Sequence, residues 1–101
     1  PVSPSERMAL VVSTVNASAW TGMSEHLHPF AADFAAVTAN PASWAAVFAL
    51  PLDGATLALS GWSATVDGAG VTYTFMLEPV GSGVFKISAI QESVNGTTVF
   101  D

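Results

Sequence analysis

The chain has 101 residues, half of them hydrophobic, which sets one domain with one core. Only 10% of the residues are charged, against about 25% in an average soluble domain. Eight acids oppose only Arg7 and Lys86, for a net charge of −6, too few cations to displace phosphate counterions on DNA or RNA or to hold an anionic membrane surface.

Mean hydropathy is +0.50, yet no apolar run reaches the ~18 residues that a membrane helix needs. Three Trp, one Tyr and six Phe are inconsistent with disorder. Without cysteine there is no disulfide framework, thiol nucleophile or thiolate zinc site. No signal peptide is visible, and Pro1 fits either a removed initiator Met or a processing cut. The absence of cysteine does not assign a compartment; a soluble, cytoplasmic protein is slightly favoured, and no cofactor is expected.

Ser3-Pro4-Ser5-Glu6 predicts a capping box. The Ser3 hydroxyl accepts from the Glu6 amide, and the Glu6 carboxylate accepts from the Ser3 amide. Pro4 then occupies the first helical position, where its missing N–H costs nothing. Met8, Val11, Val12 and Val15 recur at helical spacing, and Asn16-Ala17-Ser18 breaks the run. A second helix is expected from about Ser18 to His28 on the spacing of Trp20, Met23 and Leu27, with Pro29 closing it.

Residues 30–39 read two ways. Phe34 and Val37 suit a helix; Phe34, Ala36 and Thr38 suit a short strand. Asn40-Pro41 opens a further helix to about Leu50 with Trp44, Val47 and Phe48 as its stripe, and Pro51 and Asp53-Gly54 end it.

From Ala55 the period is two. Leu57 and Leu59 carry one phase; after Gly61, Trp62, Ala64 and Val66 carry the other, which predicts a bulge or sharp bend. Val71, Tyr73, Phe75 and Leu77 alternate with Thr72, Thr74, Met76 and Glu78. Phe85, Ile87 and Ala89 alternate with Lys86 and Ser88, and Val94-Asn95-Gly96-Thr97 predicts a hairpin returning through Thr97 to Phe100. The fold class is α+β, with N-terminal helices followed by an antiparallel meander.

Val12 to Leu27, VSTVNASAWTGMSEHL, and Val71 to Glu92, VTYTFMLEPVGSGVFKISAIQE, carry a resemblance. With the helix at Asn40–Leu50 between them, they resemble the first two helices and last long hairpin of the nuclear-transport-factor-2-like superfamily. That superfamily includes ketosteroid isomerases, SnoaL-like cyclases and limonene epoxide hydrolase. The resemblance implies a single cone-shaped domain over residues 1–101, in which a strongly bent antiparallel sheet wraps around N-terminal helices and leaves a cavity. Ketosteroid-isomerase chemistry needs a first-helix Tyr, a carboxylate base and a strand acid. The matching positions are Val11 or Val12, Ala35 with Asp33 two residues away, and Thr74, so this chemistry is rejected.

The densest ionisable group is Glu25-His26-Leu27-His28. On a helix the two rings lie about 200° apart, so they cannot chelate one metal. Either they are a pair at a helix end, favoured by the macrodipole, or one is a cavity general base oriented by Asp33. The weak catalytic candidates are thus Asp33, His26 and His28. Candidate cavity liners are Trp20, Leu27, Phe30, Phe34, Trp62, Tyr73 and Phe75. Gly68-Ala69-Gly70 and Gly81-Ser82-Gly83 are hairpin turns, not phosphate cradles.

Two functions fit. The first is a pocket protein for a hydrophobic small molecule, as a binder or as an enzyme of unassigned reaction. The alternative is a non-catalytic assembly module that forms a homodimer through the sheet face of Thr72, Thr74, Met76, Lys86 and Ser88. A solid interior favours the second; an open apolar pocket walled by Asp33 or a histidine favours the first.

Overall fold

A computed structural model describes residues 1–49, 51–93 and 95–101. Helix α1 spans Pro4–Asn16, a 3-10 segment Trp20–His26, α2 Phe34–Ala39, a 3-10 turn Pro41–Ser43 and α3 Trp44–Val47. The strands are β1 Asp53–Ser60, β2 Ser63–Gly68, β3 Val71–Pro79, β4 Phe85–Glu92 and β5 Thr97–Phe100. They form one five-stranded sheet in the order β1-β2-β3-β4-β5, antiparallel throughout. The fold is α+β, and the sheet is open. Among the described residues no helix is long and apolar enough to cross a membrane.

The capping box forms as the sequence predicts. The Glu6 amide donates to Ser3 Oγ at 3.2 Å, and the Ser3 amide donates to Glu6 Oε1 at 3.3 Å. Helix α1 buries Met8, Val11 and Val15, and with them Arg7. Its last residue, Asn16, is tied by its carboxamide to the Leu52 backbone, which fixes the chain where it enters β1.

The second helix is not an α-helix but a 3-10 segment, and the difference of period changes what is buried. With about three residues per turn, positions i and i+3 stack, so Met23 and His26 turn inward. Leu27 lies beyond the segment in extended backbone and pairs in parallel with Ile87. Residues 34–39 take the helical alternative. The helix expected from Asn40 to Leu50 is a 3-10 turn followed by the four residues of α3, since Phe48 leaves helical geometry; Leu50 lies outside the described residues. Its stripe holds, with Trp44 and Phe48 buried and Val47 half-buried.

The phase change at Gly61 is a two-residue hairpin turn: Ser60 pairs with Ser63 and Leu59 with Ala64. Gly61 sits at φ +61°, in the region where glycine is unstrained. Strand β1 carries a large bulge, because Asp53 faces Asp67 while Ala58 faces Thr65. The Thr56 hydroxyl fills this gap by accepting from the Asp67 amide at 2.8 Å.

A second bulge lies at Ser88: Leu77 faces Ile87, but Met76 faces Ala89. The strict alternation expected of β4 therefore breaks. Ile87 and Ile90 are buried, whereas Phe85 and Ala89 are only half-buried. The β4–β5 return ends as expected in Thr97–Phe100, although Val94 of its predicted turn lies outside the described residues.

The core fills the space between the sheet's inner face and the helices. Tyr73, Phe75 and Leu77 of β3 and Ile87 and Ile90 of β4 meet Met8, Val11, Met23, Leu27, Trp44 and Phe48. Aromatic stacking orders its centre: Phe48 lies parallel to Phe75, with centroids 6.2 Å apart, and tilted against Tyr73 at 4.9 Å.

Candidate functional site

The expected site residues are dispersed. Leu27 and Phe75 are fully buried in the core, while Trp20 and Phe34 pack partly buried against it. Trp62 is 54% exposed, with its ring edge-on to Phe85 at 5.5 Å. Phe30 is 90% exposed and tilts against His28. Tyr73 is buried, and its hydroxyl donates to the Val47 carbonyl at 2.9 Å. Burial, aided by the Glu92 carboxylate, pushes the Tyr73 phenol up.

Two open clefts mark the surface. One, of about 270 Å³, lies between α3 and the β2–β3 turn and is lined by Val47, Val71, Tyr73 and Glu92 together with small residues. The other, of about 360 Å³, is lined by His28, Phe30, Ala31, Glu78, Ser88 and Asp101. Among the described residues no three His, Asp or Glu side chains are grouped to hold a metal ion.

Asp33 and the two histidines, one of them expected to share a site with Asp33, each have their own hydrogen-bond partners. The Asp33 carboxylate accepts from the Asp101 amide at 3.0 Å, and the Asp33 amide donates to the Asp101 carbonyl at 2.7 Å. This pair fixes the end of β5. His28 Nδ1 accepts from the Phe30 amide at 3.2 Å, a local turn contact.

His26 is 5% exposed, and both of its ring nitrogens are engaged. Thr14 Oγ donates its proton to the Leu10 carbonyl at 2.8 Å, so it must accept from His26 Nε2–H at 2.9 Å. Nδ1 is then the acceptor, and it receives the Arg7 guanidinium at 2.8 Å. Arg7 Nε in turn donates to the Phe85 carbonyl at 2.7 Å.

Burial, the Arg7 charge and Lys86 hold the His26 ring below the ordinary imidazole range, opposed by Glu25. Burial also lowers Arg7, against Glu25. Arg7 escaped the sequence reading, although Arg7, Val11 and Val15 follow each other four residues apart and share a helix stripe.

The outer sheet face carries Thr65, Thr72, Thr74, Met76 and Ala89, whose strand neighbours point into the core. Met76 is 43% exposed. Glu78 and Lys86 face each other at one end. Of the five residues expected on a pairing face, Thr72, Thr74 and Met76 share this face by register and Lys86 lies on it beyond the bulge; Ser88 is the extra residue of the bulge, its hydroxyl donating to the Met76 carbonyl. No protein-family model, curated protein or solved structure matches this chain.

Proposed function

We propose that this chain is a non-catalytic assembly module that pairs with a second copy of itself across the outer face of its sheet. The observation that carries this reading is Met76, 43% exposed on the central strand of a face whose middle carries Thr65, Thr74 and Ala89, with charged side chains toward its ends. The helices pack on the opposite face, and the seven apolar residues expected to line a cavity do not converge: Leu27 and Phe75 are buried in the core, while Tyr73 and Phe30 border two different open clefts.

Size and charge support the reading. Four inter-strand spacings of ~4.8 Å and strands averaging about seven residues at ~3.4 Å give a face of roughly 450 Å² per copy. Two such faces approach the ~1,000 Å² that a specific interface needs. Threonine, serine and methionine desolvate at small cost compared with unpaired charges; Glu78 and Lys86 face each other with opposite sign at one end, and the acids Asp53 and Asp67, which face each other at the other end, would lie at the rim of the contact. The order of elements also supports kinship with the nuclear-transport-factor-2-like superfamily, whose cones often pair sheet to sheet.

Native mass spectrometry and sedimentation at tens of micromolar test the reading. A dimer that Met76→Glu converts to monomer is the expected result. A wild-type monomer, a dimer that Met76→Glu leaves intact, or a monomer carrying a retained apolar molecule overturns it, and the last of these restores the pocket reading.

A further inference from the structure

Arg7 and His26 are the buried polar side chains of this core, and pairing through the outer face uses neither. We propose that the Arg7–His26–Thr14 junction is an acid-sensitive latch: it holds the Trp20–His26 segment on α1 and β4, and a proton taken up at His26 Nδ1 opens it. Nε2 already carries a proton committed to Thr14, so a second proton has only Nδ1 to bind, the atom that accepts from Arg7. Once it is bound, an N–H faces an N–H across 2.8 Å, and two cations share one desolvated site.

Neither partner can turn away cheaply. Arg7 Nε is held by the Phe85 carbonyl. The chain just past His26 is held too, since the His28 amide donates to the Ile87 carbonyl at 2.7 Å. Relief therefore requires the segment to leave its seat. The charged groups acting on the ring are Arg7 from α1, Glu25 from the segment itself and Lys86 from β4. Two cations against one anion, added to burial, oppose the imidazolium in the closed form.

The sign follows from linkage. The open segment binds a proton near the ordinary imidazole value of about 6.5, whereas the closed segment binds it only at lower pH. The latch's stabilising effect is complete above that value and declines as pH falls. Opening grows by up to about tenfold per pH unit until the closed form itself is protonated.

Hydrogen exchange, corrected for intrinsic rate, reads this directly. From about pH 7.5 to 5.5, opening at the Leu27 and His28 amides is expected to rise severalfold, up to about tenfold, while the Leu77 amide in the sheet stays far better protected than they are at every pH. His26→Gln keeps one acceptor and one donor without a titrating site, and should abolish the response; His28→Gln should retain it. A flat wild-type profile, a response that persists in His26→Gln, or a Leu77 amide that opens as often as the segment overturns the latch. Should His26→Gln fail to fold, an NMR titration of the wild-type imidazole decides: protonation of His26 must coincide with the opening, and separate midpoints overturn the proposal.

Discussion

The carboxamide of Asn16 and the backbone of Leu52 exchange two hydrogen bonds. Asn16 Nδ2 donates to the Leu52 carbonyl at 3.0 Å, and the Leu52 amide donates to Asn16 Oδ1 at 2.8 Å. The last residue of α1 thereby does for the entry to β1 what a neighbouring strand would do. Asn16→Ala removes both partners and is expected to cost about 1–3 kcal/mol. Asn16→Asp keeps the acceptor but sets a carboxylate oxygen against the Leu52 carbonyl, and should cost at least as much. Urea midpoints at constant m-value check the order.

Ile87→Ala is expected to destabilise by about 2–5 kcal/mol, because Ile87 is fully buried and its deletion leaves a cavity. Phe85 is half-buried, so Phe85→Ala should cost less than Ile87→Ala, although it removes the larger side chain. Equal losses would place Phe85 deeper than the structure does, and a larger loss at Ser88 would contradict the bulge register.

The Tyr73 phenol is the only one in the chain, so phenolate absorbance reports it alone. Its folded-state pKa is raised by burial first and Glu92 second. The unfolded chain therefore releases the proton first, near pH 10. The stabilisation is complete below that value and declines as pH rises towards the folded-state pKa. Tyr73→Phe should flatten the alkaline limb of the stability profile while costing about 1 kcal/mol at neutral pH for the lost bond to Val47.

Gly68 lies under two side chains. A Cβ there would sit 3.0 Å from Leu52 Cδ2 and 3.3 Å from Tyr73 Cε2. Gly68→Ala is therefore expected to destabilise by roughly 1–3 kcal/mol through overpacking. Pairing the change with Leu52→Ala should recover part of that loss, a coupling that a double-mutant cycle measures.

Much of the architecture is legible in the residues. Ser3 to Glu6 announces α1, and the alternation of Val71 to Leu77 announces β3 with its inner and outer faces. Features that rest on a change of period are not legible. Trp20, Met23, His26 and Leu27 fit an α-helical stripe through Leu27 as well as a 3-10 stripe through His26, and only packing against Thr14 and Arg7 selects the second. The extra residue at Ser88 is likewise set by pairing with β3, which local alternation does not encode. The candidate site was the least legible part. Asp33 and the histidines are close in sequence, but one serves a β-strand end, one a helix junction and one a surface turn.

The bulge in β1 bears on the proposed pairing of two copies. An outermost strand with unsatisfied amides and carbonyls is a template on which further strands add without limit. Here the Asp53–Ala58 irregularity bends the backbone, and the Asp53 and Thr56 side chains occupy polar groups along it, so the regular stretch is confined to Ala58–Ser60. At the other side β4 is covered in turn by Val2, Leu27 and β5. With both borders of the ribbon shortened or occupied, growth by strand addition is suppressed. In the proposed dimer, contact between broad faces closes on itself after two copies.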